Sequence, residues 1–291
     1  MKMNLPLIYF QNFPFVEGAF RCKNGSMLTG FFLIDTGSAQ NIFNCEAIHT
    51  LPTAMDGEKL RISGINNQSE ICQQVSIEVQ LDNNTSQEDF YISQTIHFEK
   101  MFGKNRIIGI LGASYLIKHD LVLNYEQNML HTSDPEVFKN TEMDFTFPMG
   151  FGLKSYGVPL VGFEKDDNCF YCVADSGCNV SAITQKAIEE GADSCSWYDE
   201  NSTVTGVGGA VNTRMADVCF SLLSLGNKEG EFVHKVVSMI FNVWDGDAYI
   251  CKGNNDTETG ISALLGNDFM FKNKWILDFS RGVIYSTKAN H

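Results

Sequence analysis

Short apolar runs alternate with polar, glycine-bearing turns along most of the chain, and few stretches carry helical spacing. Leu5 to Phe10 and Phe13 to Arg21 read as strands. Lys23-Asn24-Gly25-Ser26 reads as a hairpin turn, leading into a strand from Met27 to Ile34. Asn44 to Thr50 reads as a short helix with Asn44 as N-cap. Ile107 to Gly112 is a continuous apolar run, the pattern of a buried strand. A short helix from Ala113 to His119 and a strand from Asp120 to Tyr125 follow it. Asp134 to Thr141 is polar and contains Pro135, which divides the chain into units 1–138 and 139–291. In the second unit, Gln185 to Gly191 reads as a helix with Gly191 as C-cap. Val211 to Leu223, Trp275 to Asp278 and Gly282 to Ser286 read as strands. The expected class is all-β, in two similar lobes with few short helices.

Two stretches repeat. Phe31-Phe32-Leu33-Ile34 runs into Asp35-Thr36-Gly37-Ser38, and Tyr171-Cys172-Val173-Ala174 runs into Asp175-Ser176-Gly177-Cys178, 140 residues on. Ala47-Ile48 and Ala187-Ile188 each stand 12 residues after their Asp. Ile110-Leu111-Gly112 precedes Leu123-Asn124-Tyr125 at the spacing by which Leu264-Leu265-Gly266 precedes Leu277-Asp278-Phe279. An internal duplication follows. A carboxylate at the end of a buried strand is expensive unless its oxygens are hydrogen-bonded. The residues after each Asp supply hydroxyls and a glycine that lets backbone N–H groups come close.

These residues resemble the pepsin-like and retropepsin-like aspartic proteases, from about Pro14 to Tyr285. The resemblance rests on Asp35-Thr36-Gly37-Ser38, Asp175-Ser176-Gly177 and the two apolar-apolar-Gly segments. It implies a bilobal pepsin-like β-barrel architecture, with two retropepsin-like lobes related by a pseudo-two-fold axis. It implies Asp35 and Asp175 as catalytic residues, with Thr36, Gly37, Ser38, Ser176, Gly177 and Cys178 in support. The Thr36 and Ser176 hydroxyls are then expected to cross to the opposite loop, and the Ser38 hydroxyl to bond the outer oxygen of Asp35. Each apolar-apolar-Gly segment is expected against the loop of its own lobe. Flap hairpins are expected at Ile62, Ser63, Gly64 and Ile65, and at Val204, Gly206, Val207 and Gly208. Cys178 departs from the family's usual Ser or Thr. A thiol is the weaker donor, so the pair is expected to titrate higher than one flanked by two hydroxyls.

Two carboxyls brought face to face hold one proton between them. They can activate a water for attack on a peptide carbonyl without metal, cofactor or covalent intermediate. The leading reading is an aspartic endopeptidase acting on extended peptide or protein. The alternative is a catalytically inactive pepsin-like peptide-binding protein. Because one chain carries both Asp residues, a monomer is expected.

Composition narrows the partners. The net charge is −14 and no basic cluster occurs, against nucleic acid as a partner. No run reaches transmembrane length, and the apolar start of the chain is interrupted by Pro6. The expectation is a cytoplasmic protein, or a secreted or periplasmic one if a signal segment has been removed. With most of the residues before Asp35 in strand pattern, activation by propeptide removal is not expected. The nine cysteines form no compact framework and read as reduced thiols. Cys169 and Cys172 would point to opposite faces of a strand, against a redox or zinc pair. The Gly206-Val207-Gly208-Gly209 cluster precedes a strand pattern, not the helix a phosphate loop needs. No Gly-x-Ser-x-Gly elbow occurs for a serine hydrolase.

Overall fold

The computed structural model describes residues 2–44, 57–63, 69–134, 143–166, 168–206, 209–226, 231–244, 249–252 and 258–287. At 44, 63, 204–206, 209–211, 249–252 and 258 it describes the backbone alone.

The first half contributes β1 (Asn4–Pro6), β2 (Ile8–Phe10), β3 (Phe13–Arg21), β4 (Met27–Asp35), β5 (Asn41–Asn44), β6 (Lys59–Ser63), β7 (Ser69–Leu81) and β8 (Asn84–Ser93). Helix α1 (Phe98–Phe102), β9 (Ile107–Gly112), α2 (Ala113–Lys118), β10 (Leu121–Asn124) and β11 (Met129–Thr132) complete it. The second half begins with β12 (Met143–Pro148), α3 (Gly150–Tyr156), β13 (Leu160–Lys165), β14 (Asn168–Ala174), β15 (Ala182–Thr184) and α4 (Gln185–Gly191). It continues through β16 (Ser194–Gly206), β17 (Gly209–Leu225), β18 (Phe232–Trp244), β19 (Tyr249–Lys252) and β20 (Glu258–Leu265). It ends with α5 (Asn267–Lys272), β21 (Trp275–Asp278) and β22 (Val283–Thr287).

Strands β2 to β9 form one sheet in the order β2-β3-β4-β9-β5-β8-β7-β6, and a β3–β7 pairing curls it toward a barrel. Strands β13 to β20 form the second lobe, where β13 pairs β17 in the same manner. Each strand that leads to an Asp lies parallel to its lobe's apolar-apolar-Gly strand, β4 beside β9 and β14 beside β20. The first lobe's core carries Phe43 stacked on Phe90, ring centroids 4.1 Å apart, and Phe20. The second carries Phe163, Phe170, Phe220 and Phe241. Burial of each such ring contributes about 1.5–3 kcal/mol.

A third sheet joins the halves in the order β1-β11-β10-β21-β22-β12. At its centre Leu123 pairs with Leu277, Val122 with Asp278 and Asn124 with Ile276. Leu123 and Leu277 hold matching positions in the two repeats, so this register is self-complementary, as across a two-fold axis. Asn124 and Asp278 are both buried and accept backbone N–H groups of the turns that follow them. The fold is bilobal and mostly β, as the sequence indicates.

Several elements differ from expectation. Leu5 to Phe10 is two strands: β1 pairs β11 in the joining sheet, and β2 pairs β3 in the first lobe. The switch falls at Leu7, whose N–H goes to Asn128 O. Gln11 and Asn12, at φ 53° and 68°, close the β2–β3 hairpin. Asn44 ends a strand rather than capping a helix, and the helix expected over 45–50 lies outside the described residues. Gly191 is the last residue of α4, not its cap. A β carbon there would stand 2.8 Å from both Phe163 and Phe170, so packing demands the glycine. The division at 138/139 also falls outside the described residues. Among the described residues, no helix is long and apolar enough to cross a membrane.

Candidate active site

Asp35 ends β4 and Asp175 follows β14, and the two loops meet between the lobes. Their contacts are reciprocal. Thr36 N donates to Ser176 Oγ and Ser176 N donates to Thr36 Oγ1, both at 2.9 Å. Thr36 Oγ1 donates to Ala174 O at 2.5 Å, and Ser176 Oγ donates to Ile34 O at 2.7 Å. Each hydroxyl thus crosses to the opposite strand, and both residues are fully buried. A net contribution of about 1 kcal/mol per bond is ordinary, but leaving any of these buried groups unpaired costs more.

The crossing places each glycine against the opposite carboxyl. A β carbon at Gly37 would stand 2.3 Å from Asp175 Cγ, and one at Gly177 would stand 2.3 Å from Asp35 Cγ. Asp35 Oδ1 accepts from Ser38 N at 3.0 Å, and Asp175 Oδ1 accepts from Gly177 N at 2.8 Å. The Gly37 N–H favours the charged form of both. The carboxyls also hydrogen-bond each other. Burial lifts Asp35 above the usual carboxylate range. Burial, and then the charge of Asp35, lift Asp175 well above it. Two buried carboxyls in that contact hold a proton as a pair, and their titration belongs to the pair rather than to either residue.

The apolar-apolar-Gly strands brace the loops of their own lobes. Ala113 N donates to Ser38 O at 2.8 Å, and Asn267 N donates to Cys178 O at 2.9 Å. Gly112 N donates to Asn41 Oδ1 and Gly266 N to Ser181 Oγ, at 3.0 and 2.9 Å. A β carbon at Gly112 would meet Gln40 O at 2.3 Å, and one at Gly266 would meet the Val180 backbone at 2.7 Å. Asn41 and Ser181 were not singled out from sequence. Both stand six residues after their Asp, so extending the repeat by one more polar position would have found them.

Two expectations need correction. The Ser38 hydroxyl does not bond Asp35; it donates to Gln40 O at 2.8 Å, and the Ser38 N–H reaches Asp35 instead. Cys178 Sγ likewise donates to Val180 O at 2.9 Å. Ser38 and Cys178 therefore make the same bond to the carbonyl two residues on. The thiol does not replace a hydroxyl donor to Asp175, and the upward shift argued from its weakness as a donor does not follow. Burial, and then the charge of Asp175, push the Cys178 thiol far above its ordinary range.

Ile62 is half-buried against the cluster of Phe13, Phe15, Leu33, Phe98, Phe102 and Ile110. Ser63 ends β6, while Gly64 and Ile65 lie outside the described residues. Val204 and Gly206 lie in β16, whose last pair is Gly206 with Gly209; Val207 and Gly208 lie outside the described residues. Strand β17 begins at Gly209, so no helix N-terminus stands behind that cluster. Cys169 is exposed and Cys172 buried, each with a free thiol. Among the described residues, no group of three or more His, Cys, Asp or Glu is placed to hold a metal.

No family model and no curated protein sequence matches the chain. Among solved structures, it is similar to an aspartic proteinase from Irpex lacteus over 99% of this chain and 98% of that one. The TM-score is 0.54 and the identity 12%. That likeness establishes the fold: the chain has the bilobal, all-β fold of the pepsin-like aspartic proteinases.

Proposed function

We propose that this chain is an aspartic endopeptidase, with Asp35 and Asp175 as its catalytic residues. The observation that carries the reading is the pair of carboxyls, one from each lobe, hydrogen-bonded to each other at the crossing of the two loops. Asp35, the ionised partner, takes a proton from a water held between them, and the water oxygen attacks the peptide carbonyl carbon. Asp175 gives its proton to the carbonyl oxygen. The resulting gem-diol collapses with cleavage of the C–N bond, and the proton on Asp35 passes to the leaving nitrogen. One of the diol's two hydroxyl protons returns to Asp175, and the other stays on the new carboxylic acid. No charge builds up that the pair does not itself absorb.

An extended peptide would lie across the two loops, its backbone pairing with strand edges and its side chains entering apolar pockets. The β6–β7 hairpin around Ile62 to Ile65 and the β16–β17 hairpin around Val204 to Gly208 would cover it as flaps. Ile62 supports this, because it already joins an apolar cluster that includes Leu33, two residues before Asp35. The chain would act as a monomer, since it supplies both carboxyls. The departure at Cys178 from the family's usual Ser or Thr is the one feature that would favour a non-catalytic peptide binder. Cys178 repeats the bond of Ser38, which removes that reason.

The test is cleavage of a denatured protein or peptide library, with inhibition by a statine-type peptide. Asp35→Asn and Asp175→Asn should each abolish cleavage while leaving the fold intact. Substantial cleavage by either purified single variant would overturn the reading.

A further inference from the structure

One polar chain breaks the pseudo-two-fold symmetry of the site. Asn267, the first residue of α5, donates from Nδ2 to Ser176 O at 2.8 Å and to Cys178 O at 3.0 Å. Both partners are carbonyls, which only accept, so the amide nitrogen must face them. Asn267 Oδ1 is left to accept from the Tyr125 hydroxyl, at 2.5 Å. Tyr125 follows β10 of the other half, 142 residues away, and both side chains are buried. The peptide unit whose oxygen Asn267 binds is the one whose nitrogen, on Gly177, donates to Asp175 Oδ1. The chain therefore runs from the Tyr125 hydroxyl through the Asn267 amide and the 176–177 peptide to the Asp175 carboxyl.

Among the described residues, nothing equivalent stands behind Asp35. Ala113 holds the position of Asn267, and Phe279 holds that of Tyr125. Asp35 takes its N–H from Ser38, one residue later in the loop.

We propose that Tyr125 and Asn267 are positioning residues for Asp175, orienting and polarising the Gly177 N–H so that the two carboxyls are inequivalent. The proposal rests on the aspartic-peptidase reading. Hydrogen bonds in series strengthen one another. A carbonyl that accepts a well-aligned donor, as Ser176 O does from the fixed Asn267 amide, makes its peptide N–H a better donor in turn. Burial, followed by the nearby Tyr9 and Asp175, holds the Tyr125 hydroxyl far above its ordinary range, so it stays a donor throughout. The titratable groups around Asp175 are Asp35 opposite, Cys178 on its own loop, Tyr125 behind with Tyr9 beyond it, and Asp268 on α5. Asp268 is held by the N–H and hydroxyl of Ser181.

The sign follows from which carboxyl ionises last. In the proposed mechanism Asp35 is the partner that ionises first, so the second proton comes from Asp175. Weakening a hydrogen bond to the charged form raises a carboxyl pKa. Tyr125→Phe, which removes one oxygen, should therefore raise the upper titration step of the pair by roughly half a unit and leave the lower step in place. The step is read by carbon-13 NMR of labelled aspartate carboxyls, which requires no activity. The basic limb of the kcat/KM profile on a cleaved peptide should move with it. Tyr9→Phe, which removes a hydroxyl from the neighbouring ring, should move neither. An unchanged upper step in folded Tyr125→Phe overturns the proposal. If that variant does not fold, Asn267→Ser cuts the same chain, and the same result in it counts equally. Failure of both to fold would make the chain a folding element only and would also overturn it. A wild-type chain that cleaves no peptide would overturn the peptidase reading alone, the carboxyl titration still deciding the chain.

Discussion

Gly37 lies against the carboxyl of Asp175, with room for hydrogen and nothing larger: a β carbon would come within 2.3 Å of Cγ. The obstruction is a carboxyl held by Gly177 N, not the free end of a flexible side chain. Gly37→Ala should therefore force the two loops apart. We expect kcat/KM to fall by more than about 100-fold, since small misplacements of reacting groups have that effect. Circular dichroism and a thermal midpoint check that the lobes remain folded. Near-normal activity in Gly37→Ala would contradict the close approach.

The dyad makes stability depend on pH with an unusual sign. Asp175 keeps its proton in the folded chain at pH values where the unfolded chain has lost it. The folded state then binds more protons, so this group's contribution is complete below the ordinary carboxylate range and declines as pH rises toward its raised value. Asp175→Asn keeps a donor toward Asp35 and never ionises. It should raise the thermal midpoint at neutral pH and flatten its decline between mildly acidic and neutral pH. A lower midpoint at neutral pH would sink this account.

Thr36→Val removes one hydroxyl and strands two buried partners, the Ser176 N–H and the Ala174 carbonyl. An unsatisfied buried group costs about 1–3 kcal/mol. Urea unfolding should show a loss of that size, with activity falling as well because the loops lose their lock. A loss below about 0.5 kcal/mol would mean that water or another group replaces the hydroxyl.

Cys178→Ser should leave the pH profile of kcat/KM in place, because the side chain at this position turns to Val180 O. The thiol should also resist alkylation in the folded chain, being buried and held protonated, while the exposed Cys169 reacts first. A profile shifted by the serine would restore a direct link between position 178 and Asp175.

Much of this site can be read from the sequence because duplication writes the same local chemistry twice. Asp35-Thr36-Gly37 and Asp175-Ser176-Gly177 carry their own strand, turn and hydroxyl, and the meeting of the loops follows from pairing the copies. The destination of the Ser38 and Cys178 side chains could not be read this way. A donor beside a carboxylate has several acceptors in reach, and the turn decides among them. Tyr125 and Asn267 were illegible for another reason: their partners lie in the other half, and the repeat has different residues at both matching positions. The Gly191 cap failed because helix-end glycine has two explanations, backbone conformation and packing, and here the rings of Phe163 and Phe170 supply the second.

The pairing of Leu123 with Leu277 sets what would become of either half alone. Cut between residues 134 and 143, the first half would keep β1, β11 and β10 but lose the neighbour of β10. Its bare edge would be apolar and fully buried in the intact chain, from Leu121 to Leu123. Because the register is self-complementary, the strand that best replaces β21 is another copy of β10 itself. An isolated half is thus a template for its own twin, and tethering two unlike copies in one polypeptide is what keeps that edge from recruiting strangers.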